Sequence, residues 1–174
     1  MVAHPNHATA APGTRLAILA DKAASPPATE GAFMPGLPIA GTESDAPTGP
    51  AAIMFAADQA SRAVGMELLH AGRGTATVRM RIAMQMLNGH AIGHGGYIFM
   101  LADTAFSVAC NADGLVTVAS GADITYLAPV REGDVLVATA IERARSGRSG
   151  IYDVTVRRGA EIVAEFRGRS RTIS

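Results

Sequence analysis

The sequence predicts an α+β fold in which one curved antiparallel sheet wraps around a single long central helix. Three observations predict it. Residues 97–109 are apolar nearly all the way round at helical spacing, the pattern of a helix buried on every side. Two segments before this run and four after it are rich in Val, Thr and Ile, and several alternate apolar with polar residues, as half-buried strands do. The strand connections are short and glycine-containing, which makes neighbours in sequence antiparallel neighbours in space. With one fully apolar helix and strands on either side of it, wrapping the sheet around the helix is the simplest way to bury both.

In chain order, residues 1–50 come first and are set apart by composition. Pro5, Pro12, Pro26, Pro27, Pro35, Pro38, Pro47 and Pro50 lie here, among abundant Ala, Gly and Thr, and only Pro129 lies elsewhere. Such a stretch buries little, so it reads as a largely disordered extension, leaving residues 51–174 as the folded domain. Within the extension, residues 14–22 have the make-up of a short helical turn. His4 and His7 read as solvent-exposed, because no cysteine or acidic partner stands at metal-site spacing.

Residues 51–63 have high helix propensity and a recurring apolar face, predicting one helix. Strands follow over 64–70 and 74–82, joined by the turn 71–74. In the second, Thr75, Thr77, Arg79 and Arg81 alternate with Ala76, Val78, Met80 and Ile82. The Gly72-Arg73-Gly74 step lacks the third glycine of a dinucleotide fingerprint and sits between strands, so it carries no cofactor prediction. The glycine-rich loop 88–96 and the apolar helix come next. Residues 111–114 stop the helix, with Asn111 or Gly114 as the left-handed residue. Cys110, in the last helical turn, reads as a packing residue. Strands are then predicted over 115–127, with Gly121 at a bulge or close approach, then over 135–144, 151–157 and 161–171. Turns at 128–134, 145–150 and 158–159 separate them. There is no internal repeat.

Charge is balanced, with 15 basic and 15 acidic residues, and the only lysine is Lys22. That argues against a nucleic-acid partner or a polybasic membrane patch. The single cysteine precludes an intramolecular disulfide and fits a reducing compartment. No apolar run is long enough to span a bilayer, and the N-terminus lacks the ordered regions of a signal peptide. The expectation is a cytoplasmic protein.

One feature of the apolar helix resists a packing explanation. Asp103 stands near its middle, and a buried, unpaired carboxylate costs roughly several kcal/mol. It is therefore paired, reached by water, or functional. His90 and His94 are four apart, as in helical zinc motifs, but Ala91 and the interrupting glycines do not fit one, so no metal is predicted.

Asn88-Gly89-His90, His94-Gly95-Gly96, the run 101–106, Ala109-Cys110-Asn111, Tyr126-Leu127-Ala128-Pro129, Gly133-Asp134, Tyr152-Asp153 and Phe166-Arg167-Gly168 together resemble the hotdog-fold thioesterases, in particular their PaaI-like group of phenylacetic acid degradation. The resemblance covers roughly residues 58–173 in one order. It departs at Gly93, where some relatives carry cysteine, and the extension has no counterpart. The resemblance implies a hotdog fold and hydrolysis of acyl-CoA thioesters of the phenylacetyl or hydroxyphenylacetyl type, to free acid and coenzyme A. It implies no separate cofactor, since coenzyme A arrives as part of the substrate. It also implies a homodimer, assembled as a dimer of dimers.

Residue roles follow from that chemistry. Thioester hydrolysis needs a polarised carbonyl and an activated water or a carboxylate nucleophile. A helix beginning at Gly95-Gly96 offers unpaired N–H groups and a positive dipole end, and glycine lets a carbonyl approach the backbone. The Gly95 N–H is thus the expected oxyanion donor, a role that supplies about 2.7–4 kcal/mol. Asp103 lies eight residues further on (103 − 95), about 12 Å along a helix axis. The family resemblance resolves that distance by pairing helices across a two-fold axis, so that Asp103 of the partner subunit serves as general base or nucleophile. Asn88 would hold the attacking water or orient Asp103, on the family analogy. His94 would bond the thioester or brace the loop, with Gly96 and Thr104 also assigned to substrate binding. Arg145, Arg148 and Arg169 are the candidates for the coenzyme phosphates. Met84, Met86, Leu87, Tyr97 and Met100 line an acyl pocket or belong to the core. The alternatives are a hotdog acyl-CoA dehydratase or hydratase, which needs a histidine placed with a carboxylate, and a non-catalytic acyl-CoA-binding protein.

Overall fold

The computed structural model describes residues 47–173. Of the extension expected over 1–50, residues 1–46, including His4, His7 and the turn at 14–22, lie outside the described residues, and Pro50 belongs to the first helix. Helices α1 (Pro50–Ala57) and α2 (Gln59–Ala63) open the fold, followed by strands β1 (Glu67–Gly72) and β2 (Thr75–Arg81). A 3₁₀ turn (Met84–Met86) and the glycine-rich loop lead into α3 (Gly95–Cys110). Strands β3 (Thr117–Tyr126), β4 (Val135–Ser146), β5 (Ser149–Arg158) and β6 (Glu161–Thr172) complete it. The six strands form one antiparallel sheet in the order β1-β2-β4-β5-β6-β3. The sheet packs on α3, as expected.

The single helix expected over 51–63 is two. Asp58 adopts an extended backbone, and its Oδ1 accepts the N–H groups of Ala60 (3.0 Å) and Ser61 (3.2 Å). An aspartate that can cap the next turn competes with helix continuation, and here it wins. Pro50 sits at the first position of α1, where its missing N–H costs nothing. The strand expected from Val64 starts later, because Val64 closes α2 and Gly65 takes φ +69°.

Strands β3 and β4 are not the hairpin that the turn at 128–134 suggests. The segment after β3 crosses to the end of β2, where Ile82 N–H donates to Asp134 O and Gly133 N–H to Ile82 O, both at 2.8 Å. That anchor delivers β4 to β2, while β3 pairs with β6 and forms the opposite edge of the sheet. The expected bulge near Gly121 is present, between Ala119 and Gly121. A second, between Glu142 and Ala144, has no glycine to announce it.

The core lies between α3 and the inner face of the sheet. Ala76, Val78 and Met80 of β2, Tyr152, Val154 and Val156 of β5, and Phe166 of β6 are buried there with Leu101, Ala105 and Phe106. Phe106 packs edge-on against Tyr152 at 5.3 Å between ring centroids. Burying one such side chain contributes about 1.5–3 kcal/mol. Yet α3 is not buried on every side. Gly96, Met100, Asp103 and Ser107 form a stripe at helical spacing that the protomer's own sheet does not close over.

At the C-terminal end of α3, Gly114 takes φ +80°, while Asn111 stays at −106° and works through its side chain. The Asn111 amide donates to Ser107 O (2.9 Å) and Thr117 O (2.8 Å) and accepts from Thr117 N–H (3.0 Å), closing the helix onto β3. Cys110 is 2% exposed, and burial pushes its thiol up to about 12. A thiol held protonated in this way is a packing group, not a nucleophile.

Candidate functional site

The loop before α3 is shaped by Asn88. Its Oδ1 accepts the His90 N–H at 2.8 Å and the Ile92 N–H at 3.4 Å, and its own N–H donates to Ile92 O at 2.8 Å. Inside this turn Ala91 takes φ +56°, a left-handed conformation that L-residues other than Asn and Asp seldom adopt. The loop is then pinned from both sides: Gly93 N–H donates to Val130 O and His94 N–H to Met86 O, each at 2.8 Å. A Cβ on Gly93 would come within 2.4 Å of Val130 Cγ2, so this chain has no room for the cysteine some relatives carry there unless Val130 moves. Asn88 therefore spends its carbonyl on the loop, and its amide N–H groups stay unused among the described residues.

Helix α3 starts at Gly95 with His94 as its cap. His94 Nδ1 accepts the Gly96 N–H at 2.9 Å, which requires that nitrogen to be unprotonated. Tyr97 N–H donates to His94 O at 3.0 Å. The Gly95 N–H has no acceptor among the described residues. Its carbonyl accepts the Tyr126 hydroxyl at 2.9 Å.

Two cavities flank this first turn. One, of about 440 Å³, is lined by Asn88, Gly95, Ile98 and Tyr126, with Ile92, Gly93 and the segment 127–130 completing its apolar walls. The other, also about 440 Å³, is lined by Gln85, Leu87, His94, Gly96, Tyr97 and Met100. The structure thus brings Asn88 and Gly95 together but sets His94 and Gly96 on the other side of the helix start. Of the apolar candidates, Leu87, Tyr97 and Met100 line the second cavity, Met86 is core and Met84 is exposed.

Asp103 lines neither cavity within its own protomer. Its side chain is half-buried on the uncovered stripe of α3 and makes no hydrogen bond or ion pair among the described residues. Burial pushes its carboxyl above the usual carboxylate range, with no opposing partner. Thr104 is 8% exposed, and its hydroxyl lies 3.1 Å from Ser61 Oγ, so it joins α3 to α2 and reaches neither cavity.

The three arginines assigned to coenzyme phosphates are engaged inside the chain and line neither cavity. Arg145 donates to Glu142 (3.0 Å), Asp113 (3.3 Å) and the hydroxyl of Tyr152 (2.9 Å). Arg148 Nε donates to Thr172 O at 2.8 Å, and Arg169 pairs with Asp123 at 2.5 Å.

Sequence reasoning assigned no site role to Tyr126, Ile92, Ile98, Pro129 or Val130, all of which line the first cavity. The available signal was the Tyr126-Leu127-Ala128-Pro129 run, which follows a strand and turns back toward the glycine-rich loop.

A free helix-start N–H beside an asparagine amide, at the mouth of an apolar cavity, is suited to polarising a carbonyl. Comparison with known proteins bears on what that carbonyl is. The sequence profile of the Thioesterase superfamily matches residues 90–165. The acyl-coenzyme A thioesterase PaaI of Escherichia coli K12 is 44% identical over 121 residues, covering 69% of this chain and 86% of that protein. The structure of the E. coli PaaI protein from the phenylacetic acid degradation operon superposes with a TM-score of 0.70 at 42% identity, covering 72% of this chain and 91% of that one. A mutant of the phenylacetic acid degradation protein PaaI from Thermus thermophilus superposes with a TM-score of 0.65 at 33% identity, covering 67% of this chain and all of that one.

Proposed function

Since the chain belongs to the thioesterase superfamily, we propose that it hydrolyses acyl-CoA thioesters at a site shared between two copies, with aryl-acetyl groups of the phenylacetyl or hydroxyphenylacetyl type as the preferred acyl moiety. The observation that carries the shared site is Asp103: a half-buried, unpaired carboxylate on the one stripe of α3 that its own sheet leaves open. An apolar helix with such a stripe calls for a covering surface, and a second copy supplies one with matching Gly96, Met100 and Ser107. The outer edge of β3 supports the same reading. It is ten residues long, carries no proline or lysine, and has no neighbour in the sheet of one protomer.

In this reading the thioester oxygen accepts the Gly95 N–H. The Asn88 amide holds a water. Asp103 of the partner subunit takes a proton from that water as its oxygen bonds to the carbonyl carbon. The tetrahedral intermediate then collapses, the carbon–sulfur bond breaks, and the thiolate leaves with the proton returned by the carboxyl group. A nucleophilic carboxylate would give the same products through an anhydride. The hydratase alternative is disfavoured by the likeness to an acyl-coenzyme A thioesterase, 44% identical over 121 residues.

A panel of aryl-acetyl, benzoyl, short-alkyl and long-alkyl CoA thioesters, followed by release of free thiol, tests the proposal. Hydrolysis strongest on the aryl-acetyl members is expected. Absence of thiol release across the panel would remove the activity, and a preference for long alkyl chains would remove the substrate assignment.

A further inference from the structure

We propose that Tyr126 is a positioning residue for thioester hydrolysis, its phenol fixing the peptide next to the Gly95 N–H. The inference rests on the reading of Gly95 as oxyanion donor. Tyr126 is the last residue of β3, held in register opposite Ala164 of β6. From that sheet edge its hydroxyl donates to Gly95 O at 2.9 Å, a contact spanning 31 residues of sequence. The ring lies flush against the glycine: a Cβ there would meet Cζ at 2.9 Å and the phenol oxygen at 3.0 Å.

The second half of the argument is on the other side of the same peptide group. The carbonyl of Gly95 and the N–H of Gly96 belong to one planar unit. Tyr126 holds the carbonyl and His94 Nδ1 holds the N–H, each at 2.9 Å. The plane is therefore gripped at both ends. The free Gly95 N–H lies on the preceding plane, held on its own account by the Tyr97 N–H at His94 O (3.0 Å), and the two planes meet at a residue without a side chain, so the aim of the N–H depends on both grips. An oxyanion donor works because it is aimed before the charge develops, so a grip on the adjoining plane bears directly on turnover. Burial does not force the contact, since Tyr126 is 48% exposed and water could satisfy its hydroxyl.

Tyr126→Phe keeps the ring against Gly95 and removes only the hydroxyl. In the full chain, the expected result is a fall in kcat of about five- to ten-fold, the size of one neutral hydrogen bond. KM and the melting temperature should stay close to those of the parent, and the Gly96 amide resonance should shift as its peptide loses a donor. A purely structural role would move the melting temperature and leave kcat alone. Unchanged kcat in Tyr126→Phe beside an active parent overturns the proposal. An inactive parent is a different failure: it removes the reading of Gly95, and this inference with it.

Discussion

Arg158, at the end of β5, donates to Asp134 Oδ2 at 2.5 Å and to Pro129 O at 3.2 Å. It thereby ties the segment between β3 and β4, which forms one wall of the Asn88–Gly95 cavity, to the β5–β6 hairpin. The same guanidinium reaches Glu161. Removing it with Arg158→Ala should cost roughly 1 kcal/mol of stability, the upper range for partly exposed ion pairs. It should also raise KM more than it lowers kcat, because the wall moves and the helix start does not. Urea denaturation and steady-state kinetics on the preferred thioester check both.

The pair also gives a pH dependence. Partial burial pushes the Asp134 carboxyl up, but the Arg131 N–H and the Arg158 guanidinium outweigh it and hold the group below its usual value of 3.8. A depressed carboxylate stabilises the fold above its unfolded pKa and loses that contribution as pH falls through the lower, folded one. The parent should thus lose stability in the acid range below the ordinary carboxylate value, and Arg158→Ala should lose less over the same interval. Parallel slopes of melting temperature against pH for the two proteins would contradict this.

Asp103 titrates in the opposite sense. Burial alone raises its pKa, so the fold favours the neutral form, and the stability associated with that form is lost as pH rises through the folded pKa. Asp103→Asn should therefore raise the melting temperature near neutral pH, with the advantage shrinking in acid. Turnover should fall by about two to four orders of magnitude, the range of a lost general base. The parent's rate should fall on the acid side at a pH above the ordinary carboxylate range. A variant that is both more stable and inactive separates function from folding; normal turnover in Asp103→Asn would take the residue out of the mechanism.

Gly168 and Phe106 set a packing limit beneath α3. A Cβ at Gly168 would sit 2.7–2.8 Å from three carbons of the Phe106 ring. That ring is 1% exposed and held by Tyr152 and Phe166, so it has little room to give way. Gly168→Ala should cost about 1–3 kcal/mol, as overpacked cores do. A drop in the denaturation midpoint without a change in slope is the expected signature.

Much of this architecture was legible in the residues. Periodicity and Val/Thr/Ile content placed α3 and the six strands, with shifted bounds as at β1, because a sheet with one face on a helix tends to alternate its side chains. Both failed where competition between neighbours decides. Asp58 breaks a helix whose propensity is continuous, and Ile82 captures Gly133 and Asp134 to send β4 away from β3. At the candidate site, Gly95 and Asp103 stand out by type and position, and Asn88 through the family resemblance. Tyr126 does not, since its partner is a backbone carbonyl 31 residues away, which no local pattern reports. The surroundings of the arginines are hidden for a related reason: the carboxylates that meet Arg145 and Arg169, Asp113 and Asp123, are far from them in sequence.

The extension offers a last test. Its proline-rich composition predicts that residues 1–45 add nothing to the domain. The described fold begins its internal contacts just beyond that point: Gly49 O accepts the Ile53 N–H at 3.1 Å, and Ala51 of α1 is 2% exposed. Deletion of residues 1–45 should leave melting temperature, oligomeric state and kcat/KM unchanged. Deletion through residue 57 should not. It uncovers the surface under Ala51, Met54 and Phe55, which pack against the core, and should cost about 2 kcal/mol or more. If the shorter deletion alone abolished folding, the extension would have to be counted as part of the domain.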